Sequence, residues 1–199
     1  MTGISRAPWR AASAVCTAGA LVTACFGRPS SASRVDPRAP RVVPIASAIV
    51  LETAGPPPAD TTVEFAAGEP HVVVLRHGPP ENVVFAELSF PPGAFRADSG
   101  RRVRIQIRPR PGVYGLDLLT DLPLAEGASV TFKYARYFLA PARAREAFGS
   151  DVFYERALAV GQVVQGTAQV ALLPSTRPAA DNLRASLPAA GTYLVAAAR

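Results

Sequence analysis

Arg101-Arg102-Val103-Arg104-Ile105-Gln106-Ile107-Arg108 alternates without a break: Val103, Ile105 and Ile107 fall on one face of an extended chain, Arg102, Arg104, Gln106 and Arg108 on the other. A period of two marks a strand with one buried and one wet face, because successive side chains of extended backbone point to opposite sides. Pro109 and Pro111 close the stretch, since proline has no N–H to give to a ladder. Ala128 to Tyr137 repeats the pattern, with Val130, Phe132 and Tyr134 set against Ser129, Thr131 and Lys133.

Working outward, further strands are predicted at Val43 to Leu51, Thr62 to Ala66, His71 to Arg76, Val83 to Phe90, Val113 to Leu119, Val152 to Ala159, Val163 to Leu172, Leu183 to Leu187 and Thr192 to Ala198. Gly55-Pro56-Pro57, Gly78-Pro79-Pro80, Pro91-Pro92-Gly93 and Gly149-Ser150-Asp151 read as the turns between them. Leu88 and Phe90 share a face and anchor the core, and Gly93 supplies the positive φ of its turn. One or two helical turns are predicted at Ala140 to Phe148, with Pro141 at a first helical position. About ten strands with no long helical pattern predict an all-β fold, an antiparallel β-sandwich forming one domain over residues 42–199.

Ahead of that body the composition changes twice. Residues 1–24 have a basic front, Arg6 and Arg10, and an uncharged apolar run from Ala11 to Ala24, the layout of a cleaved secretory signal. The run is about 14 residues long, whereas crossing a bilayer takes about 20. It ends in Val22-Thr23-Ala24-Cys25, which resembles the lipobox of bacterial lipoproteins. The resemblance implies cleavage between Ala24 and Cys25, a diacylglycerol on the Cys25 thiol, and a membrane partner reached through that lipid anchor. Phe26 follows, where Asp would imply retention at the inner membrane, so the outer membrane is favoured. The alternative is an ordinary signal cut later, after Ser31-Ala32-Ser33, giving a secreted protein. Cleavage before Cys25 removes Cys16, so the mature chain has no disulfide. Residues 25–41, rich in Pro, Ser and Arg, read as a disordered linker.

The net charge of +6 sits mostly outside the body: residues 1–24 carry +2, residues 25–41 carry +3 and residues 42–199 only +1. The near-neutral body lacks the footprint of a nucleic-acid-binding domain. No Walker loop, dinucleotide fingerprint or nucleophile elbow is present. His71 and His77, the only histidines, sit about 20 Å apart on an extended strand and cannot share a metal; they read as polar residues flanking that strand. With no cysteine in the body a Cys/His zinc site is not available. Neither a catalytic residue, a metal nor a cofactor is expected.

Glu87-Leu88-Ser89-Phe90-Pro91-Pro92-Gly93-Ala94-Phe95, the strand Val103 to Ile107, Val113 to Leu122, Val130 to Tyr134, Leu172-Leu173-Pro174-Ser175 and Gly191-Thr192-Tyr193-Leu194-Val195 together resemble the ZU5-like β-sandwich domains of bacterial envelope proteins. The resemblance covers Phe85 to Ala198, and departs from the family in lacking a glycine-rich opening and a late tryptophan, Trp9 being in the leader. It implies a structural or interaction module without catalytic residues.

Two surface features remain. Arg101, Arg102, Arg104, Arg108 and Arg110 form a basic edge, with Arg102, Arg104 and Arg108 pointing one way. Tyr137, Phe138 and Tyr154 belong to an aromatic cluster with Phe132, Tyr134, Phe148 and Phe153 that reads as core, although Tyr137 and Phe138 cannot both point inward from a regular strand; exposed, the rings offer a platform for a glycan. The expectation is a lipid-anchored cell-envelope protein whose non-catalytic sandwich meets an envelope protein. The alternative is a binding module for a glycan or another small ligand at the Tyr137, Phe138, Tyr154 and Arg surfaces.

Overall fold

The computed structural model describes residues 39–199; the signal, Cys25 and nearly all of the linker lie outside the described residues. Fifteen strands follow in order: β1 (Arg41–Pro44), β2 (Ala48–Val50), β3 (Glu52–Thr53), β4 (Thr61–Ala66), β5 (His71–Arg76), β6 (Val84–Phe90), β7 (Arg102–Pro109), β8 (Gly115–Thr120), β9 (Ser129–Lys133), β10 (Phe138–Leu139), β11 (Ala159–Val164), β12 (Gln169–Leu172), β13 (Ser175–Thr176), β14 (Asn182–Ser186) and β15 (Gly191–Ala198). Helices α1 (Ala142–Phe148) and α2 (Asp151–Ala157) stand between β10 and β11. All strand pairs are antiparallel. One sheet runs β1-β12-β11-β15-β8-β7-β4, with β2 also on β15; the other runs β13-β14-β9-β6-β5.

The two sheets bury one apolar face each against the other. Val103, Ile105 and Ile107 of β7, Leu116 and Leu118 of β8, and Tyr193 and Val195 of β15 meet Leu88 and Phe90 of β6, Val130 and Phe132 of β9, and Leu183 of β14 in a single cluster. Each such Leu or Phe taken out of water contributes about 2 kcal/mol. The alternating sandwich predicted from the sequence is the architecture of the body, and Gly93 adopts φ 83°.

A second, smaller core lies on the other side of the larger sheet, and its cause is topological. Residues 41–50 pair with β12 through β1 and with β15 through β2, separated only by a 3-10 turn at Ile45–Ser47. Because β12 and β15 flank β11 on opposite sides, the stretch arches over β11 and closes β1, β12, β11, β15 and β2 into a ring. Inside it Val43, Ala48, Val170, Leu172 and Ala196 pack together. β15 is therefore covered on both faces, which is why Tyr193-Leu194-Val195-Ala196-Ala197 runs apolar without alternation. Gly161 of β11 forms part of the floor: a Cβ there would stand 2.6 Å from Val170 Cγ2. The linker predicted over residues 25–41 thus gives way to strand at Arg41, whose register partner is Leu172.

Three expectations are corrected. Val152 to Ala159 is not a strand; Asp151–Ala157 is helix α2. Gly149, at φ 76°, ends α1 in the left-handed region, and Ser150 opens α2 with its Oγ accepting the Phe153 N–H at 3.3 Å, so the predicted turn Gly149-Ser150-Asp151 joins two helices rather than two strands. The caps outweigh the β-propensity of Val152, Phe153 and Tyr154. Ser150→Ala should cost about 1 kcal/mol in urea unfolding, the usual loss for an N-cap hydroxyl. Val163 to Leu172 is a hairpin, β11 turning into β12 at Gly166, φ 73°. The long strand predicted from Val43 to Leu51 is the broken arch just described.

Candidate functional site

The aromatic residues chosen as a ligand surface do not lie together on one. Tyr154 is wholly buried, placed by α2 against the core, and its hydroxyl donates to Ile49 O at 3.1 Å. Phe138, on the two-stranded β3–β10 pair, packs against the core with its ring 6.0 Å from that of Tyr134 and 6.4 Å from that of Tyr154. Phe138 is only partly buried, and Tyr137 is likewise half-exposed, in the 3-10 turn Ala135–Tyr137 ahead of β10. Phe138 and Tyr154 serve to seat α2 and the β3–β10 pair on the sandwich.

Tyr137 instead joins a polar cluster on the surface. Its hydroxyl donates to Glu81 Oε2 at 3.2 Å, and Arg136 forms a two-point ion pair with the same carboxylate. The Arg136 guanidinium beside Glu81 holds that carboxyl below the usual carboxylate range. Glu81 is 55 positions from Arg136, so no local sequence pattern announces the pair. Beneath Tyr137 lies His77, 1 % exposed rather than flanking the strand in solvent. The His77 ring sits among Tyr137, Phe85 and Tyr114, at centroid distances of 4.7, 5.2 and 6.0 Å. Nδ1 lies 2.8 Å from Pro56 O; a carbonyl only accepts, so Nδ1 carries the proton. Nε2 is buried and has no hydrogen-bond partner among the described residues. His71 stacks on Phe65 at 4.2 Å, at the far end of β5.

The arginine face is partly paired with carboxylates from the neighbouring strands. β7 lies between β4 and β8, so Arg102, Arg104 and Arg108 are not on a sheet edge, which corrects the basic edge predicted above. Glu64 of β4 stands opposite Arg104 in register, 3.8 Å from its Nε and 4.0 Å from Arg102 Nη2. Asp117 of β8 is the register partner of Arg108 and pairs with Arg110 at 3.1 Å while accepting the Thr192 hydroxyl at 2.6 Å. Exposed pairs of this kind contribute little to stability, but they reduce the positive field of the face at Arg102, Arg104 and Arg110.

A further polar contact set ties the helices to the sandwich. Arg177, just beyond β13, donates to the Tyr134 hydroxyl and to the Glu155 carbonyl, and Tyr134 in turn donates to Glu155 Oε1 at 3.2 Å. Burial pushes the Tyr134 hydroxyl up to about 12, against the opposing charge of Arg177. Among the described residues, no group of three or more His, Cys, Asp or Glu side chains converges as a metal would require. No family model, curated protein or solved structure matches this chain.

Proposed function

We propose that the protein is a lipid-anchored component of the bacterial cell envelope whose β-sandwich, ZU5-like in its strand pattern, acts as a structural or protein-interaction module rather than as an enzyme. The observation that carries this reading is Val22-Thr23-Ala24-Cys25 standing a short Pro, Ser and Arg-rich stretch ahead of Arg41, where the paired strands begin. Fully extended, the chain from Cys25 to Arg41 reaches about 5 nm, enough to hold the body clear of a bilayer surface. The partly paired arginine face and the inward-turned Tyr154 fit a body that meets other proteins through backbone and shape. The glycan reading drew on Tyr137, Phe138 and Tyr154 sharing an exposed surface, and the burial of Tyr154 removes that support.

The test is the intact mass of the N-terminal peptide from membrane-extracted protein. A peptide beginning at Cys25 with added acyl mass, lost in Cys25→Ala along with membrane retention, is the expected result. An unmodified start near Arg34 would replace the anchor with secretion.

A further inference from the structure

β5 is the exposed edge that the rest of the fold does not manage. The β1 side of the larger sheet is closed by the arch, β4 carries Glu64 on its outer face, and β13 is two residues long between Pro174 and Pro178. By contrast β5 offers six residues, His71-Val72-Val73-Val74-Leu75-Arg76, with no proline or acidic residue inside it, and no described strand pairs with its outer side. Val72 and Val74 are 52 % and 42 % exposed. An edge of this kind is a template for one more strand.

The direction of its free hydrogen-bonding groups can be derived. The His77 N–H donates to Val83 O at 2.9 Å, toward the β6 side. The register with β6 skips Phe85 between Leu75 and Arg76, so the bulge lies on β6 and the alternation along β5 is unbroken: Leu75, Val73 and His71 also bond toward β6, while Val72, Val74 and Arg76 turn N–H and C=O to the open edge.

We propose that β5 is the surface through which two copies of this chain pair, edge to edge and antiparallel, about a two-fold axis at Val73. In that register Val72 of one copy exchanges both backbone hydrogen bonds with Val74 of the other, and the same pair recurs across the axis, so every outward group of the two valines is satisfied. The four valine side chains form one continuous apolar strip on the outer face. Arg76 comes opposite Pro70 of the second copy and beside its Glu69, and the axis repeats this at the other end. Glu69 and Arg76 are both exposed, and Glu69 forms no ion pair among the described residues. The edge is thus self-complementary in backbone, apolar face and charge, which is what a closed two-fold interface needs. A five-stranded sheet becomes a continuous ten-stranded one, and two anchored bodies are joined without use of the sandwich core.

Sedimentation velocity of the full chain in mild detergent and reducing buffer tests this. The expected result is a monomer–dimer equilibrium that Val74→Lys weakens by at least about tenfold, since a charge on each copy is brought into the strip. Val152→Lys, at an equally exposed valine on α2, should leave it unchanged. Glu69→Arg and Arg76→Glu should each weaken association, and the double variant E69R/R76E should restore it, because the cross-pair is then merely inverted. Circular dichroism confirms that each variant is folded. A monomer at all concentrations up to about 0.1 mM, a dimer indifferent to Val74→Lys, or a double variant no tighter than the single ones would overturn the proposal.

Discussion

Between pH 10 and 12 this protein should unfold in one step rather than titrate its tyrosines one by one. Four of its five tyrosines, Tyr114, Tyr134, Tyr154 and Tyr193, are at most 1 % exposed. Each hydroxyl proton is spent on an internal acceptor: Tyr114 donates to Tyr134 O at 3.2 Å, Tyr154 to Ile49 O at 3.1 Å and Tyr193 to Ala189 O, while Tyr134 donates to Glu155 Oε1 at 3.2 Å. A phenolate has no proton to give, so ionisation both breaks these bonds and places a charge in a buried site. Burial accordingly pushes Tyr114, Tyr134 and Tyr193 from the ordinary 10 up to about 12, and raises Tyr154 as well. The folded form therefore holds protons that the unfolded chain releases. The stabilisation is complete below pH 10 and is lost as the pH climbs through 12. Three groups at about 1.4 kcal/mol per unit make the loss on the order of 8 kcal/mol, comparable to the whole stability of a small domain. Phenolate absorbance and far-ultraviolet circular dichroism recorded together check this. Coincident, cooperative changes are expected; gradual ionisation around pH 10 in a protein that keeps its dichroism would refute it.

The second large effect belongs to Gly161. The arch made by residues 41–50 leaves no room over the middle of β11: a Cβ on Gly161 would meet Val170 Cγ2 at 2.6 Å and Leu172 Cδ2 at 3.2 Å. Both neighbours are buried in the second core and cannot swing into solvent. Gly161→Val should therefore destabilise by about 3 kcal/mol or more, and Gly161→Ala by about 1 to 3, although either residue has a better strand propensity than glycine. Urea unfolding measures both. Gly100→Ala, where a new Cβ meets nothing within 4 Å, should move stability by under about 0.5 kcal/mol. Adding Val170→Ala to Gly161→Ala should recover part of the loss, since the methyl groups in the way are then gone. A stable Gly161→Val variant would mean that the arch does not press on β11 in solution.

The sandwich was legible because half-buried strands advertise themselves. In β7, β9 and β14 one face is core and the other water, and the alternation in Val103 to Ile107, Val130 to Phe132 and Leu183 to Ala185 carries that directly. Proline and Gly93 ended strands where local backbone chemistry alone required it. Local signals misled where two of them competed, as at Val152-Phe153-Tyr154, whose β-propensity gave way to the Ser150 cap.

What the residues of 39–199 determined by themselves was therefore local: which segments extend, which face of each is apolar, and where the chain must turn. Partnership was decided only by the tertiary structure, because it joins residues that no short spacing relates. Arg104 has no partner in its own stretch until Glu64 arrives beside it from β4, and the acceptor of Tyr154 is unknown until α2 turns it toward Ile49 O. Gly161 reads as a weak point in a strand until the arch of residues 41–50 closes over it. Burial, charge pairing and the open edge at β5 are properties of the assembled sheets, set by which strand comes to lie beside which.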